Sequence, residues 1–160
     1  MISKLTSYNF WANQIICGYA IKAGEFISDV KQDASFPTVR KTLLHIWDAQ
    51  FIWFSRVNGT SLTDFPSKNF NGNLSETCDG LLLSSQQLID YVEGLKGNLN
   101  TMIPYKTLDG KNFENTVSDI IIHAMNHSTY HRGQIINLLR GAGFTEVGST
   151  DYMRFCRTNL

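Results

Sequence analysis

Four long stretches of the chain set apolar residues at three- and four-residue steps, the spacing that lines one face of an α-helix. In the first, residues 3–23, Leu5, Tyr8, Ala12, Ile15, Ile16 and Tyr19 follow that period, and Gly24 marks its end. A second follows Pro37 and Thr38 and stops at Asn58 and Gly59. The third begins near Ser75 with Glu76 in its first turn, carries Leu81, Leu82, Leu88, Ile89 and Val92, and weakens at Gly94 and Gly97. The fourth, residues 116–140, is closed by Gly141 and Gly143. At 160 residues the chain has the length of one domain and needs no disulfide or structural metal to build a core. These four helices therefore predict a single all-α domain over residues 1–160, a four-helix bundle.

The connections refine that prediction. Between the third and fourth helices, MIPYKTLDGKNFEN offers Asp109 and Gly110 as a two-residue type I′ turn, so a small β-hairpin is expected before helix four. Residues 60–74 are more than a tight helix hairpin requires, which predicts a long crossover with helices two and three running parallel. Ser149, Thr150 and Asp151 are suited to cap a last short helix in TDYMRFCR.

Charge and cysteine usage remove several classes of function. With 14 basic and 14 acidic residues the chain has no basic excess, and its scattered Lys and Arg form no stripe for phosphates, so no nucleic-acid partner is expected. Cys17, Cys78 and Cys156 are odd in number and far apart, which fits neither a disulfide framework nor CxxC spacing. They are read as buried hydrophobes in a reducing compartment rather than as nucleophiles. No apolar run has signal-peptide or membrane-spanning length, so the expected location is cytoplasmic, with no membrane partner.

Helix four contains NHSTYHRGQ, in which His127 and His131 stand four residues apart. Residues at i and i+4 share a helix face, so both imidazoles can reach one ion from a rigid element. His123 and His127 have the same spacing. On a helical wheel of about 100° per residue, with His127 at zero, the apolar arc of Val117, Ile120, Ile121, Ala124, Ile135, Leu138, Leu139 and Ala142 is centred at roughly +70°. His131 then lies at about +40° and His123 at about −40°, so the pair facing inward is His127 with His131. His123 is read as an edge residue. The remaining histidine, His45, sits in LLHIWDAQFIW, a helix apolar nearly all round, and its wheel does not fix a direction. Three histidines from two helices would make an open three-ligand site of the kind catalytic metals use. The residues between the paired histidines are Ser128, Thr129 and Tyr130, so the glutamate of HExxH peptidases is missing. Asp48, one turn from His45, is a candidate to orient an imidazole, or else a solvated surface acid.

These residues resemble the DinB/YfiT-like metalloproteins over nearly the whole chain. SYNFWANQII is similar to that family's first helix, LLHIWDAQFIWFSRVNG to its second, and NHSTYHRGQ, within HAMNHSTYHRGQIINLLRGAG, to its HxxxHRGQ pattern; STDYMRF follows as in the family. The resemblance implies that His45, His127 and His131 are three metal ligands and leaves His123 outside the set. It implies a divalent transition metal, nickel, zinc, iron or manganese, in a four-helix bundle that is often dimeric. It further implies a small-molecule substrate, in some relatives a low-molecular-weight thiol. The expected function is accordingly a metal-dependent thiol S-transferase, with a metal-dependent hydrolase or a non-catalytic metal-binding bundle as alternatives. Ile122, Met125 and Ile136, on helix four away from its core arc, form a second apolar stripe, read either as a homodimer surface or as a surface covered within the chain.

Overall fold

In the structure, a computed structural model describing residues 1–95 and 98–158, the four periodic stretches become α1 (Ile2–Ser28), α2 (Val39–Val57), α3 (Leu74–Gly94) and α4 (Val117–Gly141). A short α5 (Tyr152–Thr158) follows, and Asp151 Oδ1 accepts from the amides of Met153 and Arg154 at its start. Gly97, expected to weaken the third helix, lies outside the described residues.

Local chemistry accounts for the boundaries. Thr38 caps α2 by accepting from the Lys41 amide at 3.1 Å, and Thr116 caps α4 by accepting from the Asp119 amide at 3.1 Å. At α3 the cap is Asn73, two residues before the expected start, in a reciprocal capping box with Glu76. Gly24 leaves helical geometry at φ 86°, as its expected stop required, yet the chain resumes one further turn to Ser28 beyond the kink.

The hairpin is present, formed by β1 (Met102–Lys106) and antiparallel β2 (Asn112–Thr116), but its turn is not the expected one. Only Gly110 of the turn has positive φ, whereas a type I′ turn needs it at both central residues. The Gly110 amide donates to Thr107 O, and the Thr107 amide to Lys111 O, which closes a three-residue loop with Gly110 in the left-handed position.

Two apolar clusters lie along the bundle. In one, Ile16 and Ala20 of α1 meet Leu43 and Ile46 of α2, Leu74 and Leu81 of α3, and Ile135 and Leu139 of α4. In the other, Ile2 packs with Leu88, Val92, Val117 and Ile121, with Trp53 and Phe54 of α2 against them. The start of α1 therefore shares an end with the finish of α2 and α3, so α2 and α3 run parallel and α1 and α4 run the opposite way. That direction obliges residues 58–73 to cross the length of the bundle, with a short 3-10 turn at Pro66–Asn69 on the way. Each helix packs on two neighbours: α2 lies between α3 and α4, and α1 lies across from it between the same two.

Met125 is 4% exposed inside the second cluster, and Ile122 and Ile136 pack against the two clusters. Within the second stripe of α4, Met125 is thus covered by the chain itself, while Ile122 and Ile136 stay partly exposed. Cys17 and Cys78 are buried together in the first cluster, as small hydrophobes would be. No helix among the described residues is long and apolar enough to cross a membrane.

Candidate metal centre

The groove between α2 and α4 collects three histidines. His45 comes from α2, His127 and His131 from α4, and one ring nitrogen of each lies within 4.8 Å of the others. The helical phase of α4 does what its apolar arc predicts: His131 is buried at 6% exposure, His127 is half-buried, and His123 is exposed at the edge. His45, whose direction the sequence left open, turns toward α4. Its Nε2 stands 3.0 Å from His127 Nε2. Two nitrogens bound to one ion at about 2.0–2.1 Å are themselves roughly 3–3.4 Å apart, so this pair already has the spacing of two ligands.

Protonation also suits ligation, because only a neutral imidazole offers a lone pair. Burial, and then the neighbouring His131, push the pKa of His45 down from 6.5 to about 4. His127 is lowered to about 3, first by burial and then by His131, His45 and His123. Burial lowers His131 as well, against the opposing effect of its bond to Gln134. All three rings are therefore neutral at pH 7.

Two further side chains hold these rings in place. His131 Nδ1 is 2.7 Å from Gln134 Oε1, and because an amide oxygen only accepts, the ring proton sits on Nδ1 and leaves Nε2 with its lone pair. Phe36 stacks on His45 with ring centroids 3.9 Å apart and planes at 20°, and it meets His131 edge-on at 5.5 Å. Neither residue was expected from the sequence. Gln134 carried a signal, its i+3 spacing from His131 in HRGQ; Phe36, in the loop before α2, carried none. His127 Nδ1 is fully buried without a hydrogen-bond partner among the described residues.

Asp48 does something other than either role considered for it. It is buried at 6% exposure, so it is no surface acid. Its two oxygens accept from the amide and the hydroxyl of Ser67 at 2.8 and 2.6 Å, so the carboxylate anchors the crossover, and among the described residues no hydrogen bond joins it to an imidazole. With Phe36, Leu44, His45 and Phe65 it lines a cavity of about 250 Å³ beside the triad. His123 packs edge-on against Trp53 with centroids 4.7 Å apart and lies 6.2 Å from the His127 ring. It stands outside the cluster.

The donor set fits a divalent transition metal: three neutral imidazoles on two rigid helices, with no carboxylate or thiolate among them. Residues 1–159 match the model of the DinB family. Protein DinB of Bacillus subtilis (strain 168) is 29% identical over 156 residues, covering 93% of this chain and 90% of the relative. The match spans every helix that contributes to the groove, and on it the chain belongs to the DinB family.

Proposed function

We propose that this protein is a metalloenzyme, holding one divalent transition metal at His45, His127 and His131 and transferring a low-molecular-weight thiol to a small electrophile. The observation that carries this reading is the convergence of three neutral imidazoles with no fourth protein ligand beside them among the described residues. Structural metal sites are usually closed by four ligands, whereas catalytic ones keep a position open. A divalent ion bound there would supply the positive field that brings proton loss from a thiol into the neutral pH range.

The chain's own residues provide the rest. Burial keeps the rings uncharged. Gln134 accepts the His131 Nδ1 proton and so presents Nε2 inward. Phe36 covers one face of His45 and shields it from water. The choice of thiol over water rests on Asp48, the carboxylate that lines the cavity beside the triad. It is already engaged at both oxygens by Ser67. Activation of water in a hydrolase commonly calls on a general base next to the metal. A thiol is acidic enough to need none.

The test is metal analysis followed by a conjugation assay. Chelator-free wild-type protein is expected to carry about one equivalent of metal, as a single three-ligand site predicts, and the His127→Ala and His131→Ala variants are expected to lose it. Wild type should then consume cellular thiols against a panel of electrophiles. Metal-free wild type would sink the whole reading, and turnover of ester or amide substrates without any thiol would replace transfer by hydrolysis.

A further inference from the structure

Arg132 follows His131 directly, and one step along a helix turns the side chain by about 100°. While His131 looks toward α2, Arg132 looks into the bundle toward α1. It is 1% exposed. Its Nη1 donates to Asn9 Oδ1 at 2.7 Å and to Asn13 Oδ1 at 2.9 Å, and its Nη2 donates to Thr129 Oγ1 at 2.7 Å. The Tyr8 ring centroid lies 5.4 Å from the guanidinium carbon. Asn9 then donates to Gln50 Oε1 on α2 at 2.7 Å, and Asn13 to Ser85 Oγ on α3 at 3.0 Å. One side chain on α4 thereby reaches all four helices.

For stability alone this is a poor arrangement. Every acceptor is neutral, no carboxylate pairs with the guanidinium among the described residues, and its Nε is buried without a partner. A charge removed from water on such terms is costly, and apolar side chains of similar volume often replace buried ionic groups without loss of stability. What the guanidinium adds is direction. Its donors are fixed in one plane, so they meet Asn9 and Asn13 at only one rotation and one height of α4.

We infer that Arg132 is a positioning residue for the histidine triad: by locking α4 to α1, it holds His127 and His131 in the orientation that meets His45. The inference rests on the triad being a metal site. The geometry makes the demand strict. Rotating α4 by about 20° would carry an imidazole nitrogen, roughly 6 Å from the helix axis, through about 2 Å, whereas site groups must be held within about 0.5 Å. Aliphatic contacts such as those of Ile135 and Leu139 have no directionality with which to oppose that slip.

The experiment compares wild type with Arg132→Met, apolar and of similar length, and with Arg132→Lys, which keeps the charge but not the fork. Each is followed by thermal melting, by imidazole proton–nitrogen NMR of the metal-free protein, and by Co²⁺ titration read from the visible absorption band. Arg132→Met is expected to melt within a few degrees of wild type or above it. It should lose the slowly exchanging proton shared by His45 and His127, which bridges α2 and α4, while the His131 Nδ1 proton held by Gln134 within α4 is retained. Its Co²⁺ affinity should fall at least tenfold with a changed band, and Arg132→Lys should recover part of that loss. Unaltered imidazole signals, wild-type Co²⁺ affinity, or an affinity loss that merely tracks the melting temperature would each overturn the inference. If wild type takes up no Co²⁺, the metal reading fails, and the imidazole signals of the metal-free proteins still decide the positioning role. If Arg132→Met does not fold, Asn13→Leu, which removes one of the two α1 anchors, is judged by the same signals.

Discussion

His45 Nε2 and His127 Nε2 face each other at 3.0 Å across the α2–α4 groove, so that two imidazoles on separate helices share a single proton. A second proton would put two positive rings in contact, and burial opposes it further: His45 is lowered to about 4 and His127 to about 3 from an ordinary 6.5. In the unfolded chain both rings titrate near 6.5. Between that pH and the folded values the unfolded state binds more protons, so stability falls as pH falls. The metal-free protein should keep a constant urea midpoint above about pH 7 and lose it progressively from about pH 6.5 toward pH 4, the window set by these shifts. His127→Phe removes one of the lowered histidine titrations and should flatten the decline. Urea titrations in steps from pH 8 to 4 provide the check, and a midpoint that rises on acidification would contradict the linkage.

Gln134 accepts a hydrogen bond from His131 Nδ1 at 2.7 Å. Partners of this kind fix the tautomer and direction of a ligating imidazole, and their loss typically weakens metal binding by about 10–100-fold. Gln134→Leu keeps most of the side-chain volume on a half-buried position. Zn²⁺ affinity measured by competition with a chelating dye should drop within that range, while the melting temperature of the metal-free variant stays close to wild type. Equal affinity would mean that packing alone, including the Tyr130 ring 5.0 Å away, orients His131.

How far the sequence could be read varied with the locality of the signal. The four helices were legible because each carries its own apolar period and end signals. The inward turn of His127 and His131 was legible for the same reason: Ile120, Ile121, Ile135 and Leu139, all at most 1% exposed, mark a true core face. His45 was not, since α2 buries residues around most of its girth and its wheel has no preferred side. Asp48 was misread because its partner Ser67 is 19 residues away in the crossover, beyond any periodicity. The turn at Asp109 and Gly110 was placed correctly and typed wrongly. An Asp-Gly pair suits both a type I′ turn and a type I turn followed by a left-handed residue, and the Thr107–Lys111 pairing decides between them.

Asp48→Asn separates an anchor from an orienting group. The carboxylate receives two hydrogen bonds from Ser67, and the amide that replaces it can accept at one oxygen only. Hydrogen bonds to a charged group contribute about 1.5–3 kcal/mol each, so the variant should lose about that much stability in a denaturant titration. Hydrogen exchange should speed up at the Ser67 amide and in the Pro66–Asn69 turn. Metal affinity should change less than about twofold, far below the 10–100-fold loss of an imidazole-orienting group. A large loss of affinity with the crossover intact would restore the orienting role.

Met125 tests whether the second stripe of α4 belongs to the core or to a partner. Its side chain is 4% exposed among Leu88, Val92, Val117 and Ile121, so truncation to Ala empties space that the bundle can refill only in part. Such substitutions cost about 2–5 kcal/mol. The loss is intramolecular and should therefore be the same at 2 µM and at 200 µM protein, concentrations of roughly this order bracketing a typical weak dimer. Sedimentation velocity should give the same mass distribution for Met125→Ala and wild type, whichever oligomer wild type forms. A destabilisation that grows with protein concentration, together with a shift toward monomer, would instead assign Met125 to an interface between copies, since only an intermolecular contact makes stability depend on concentration.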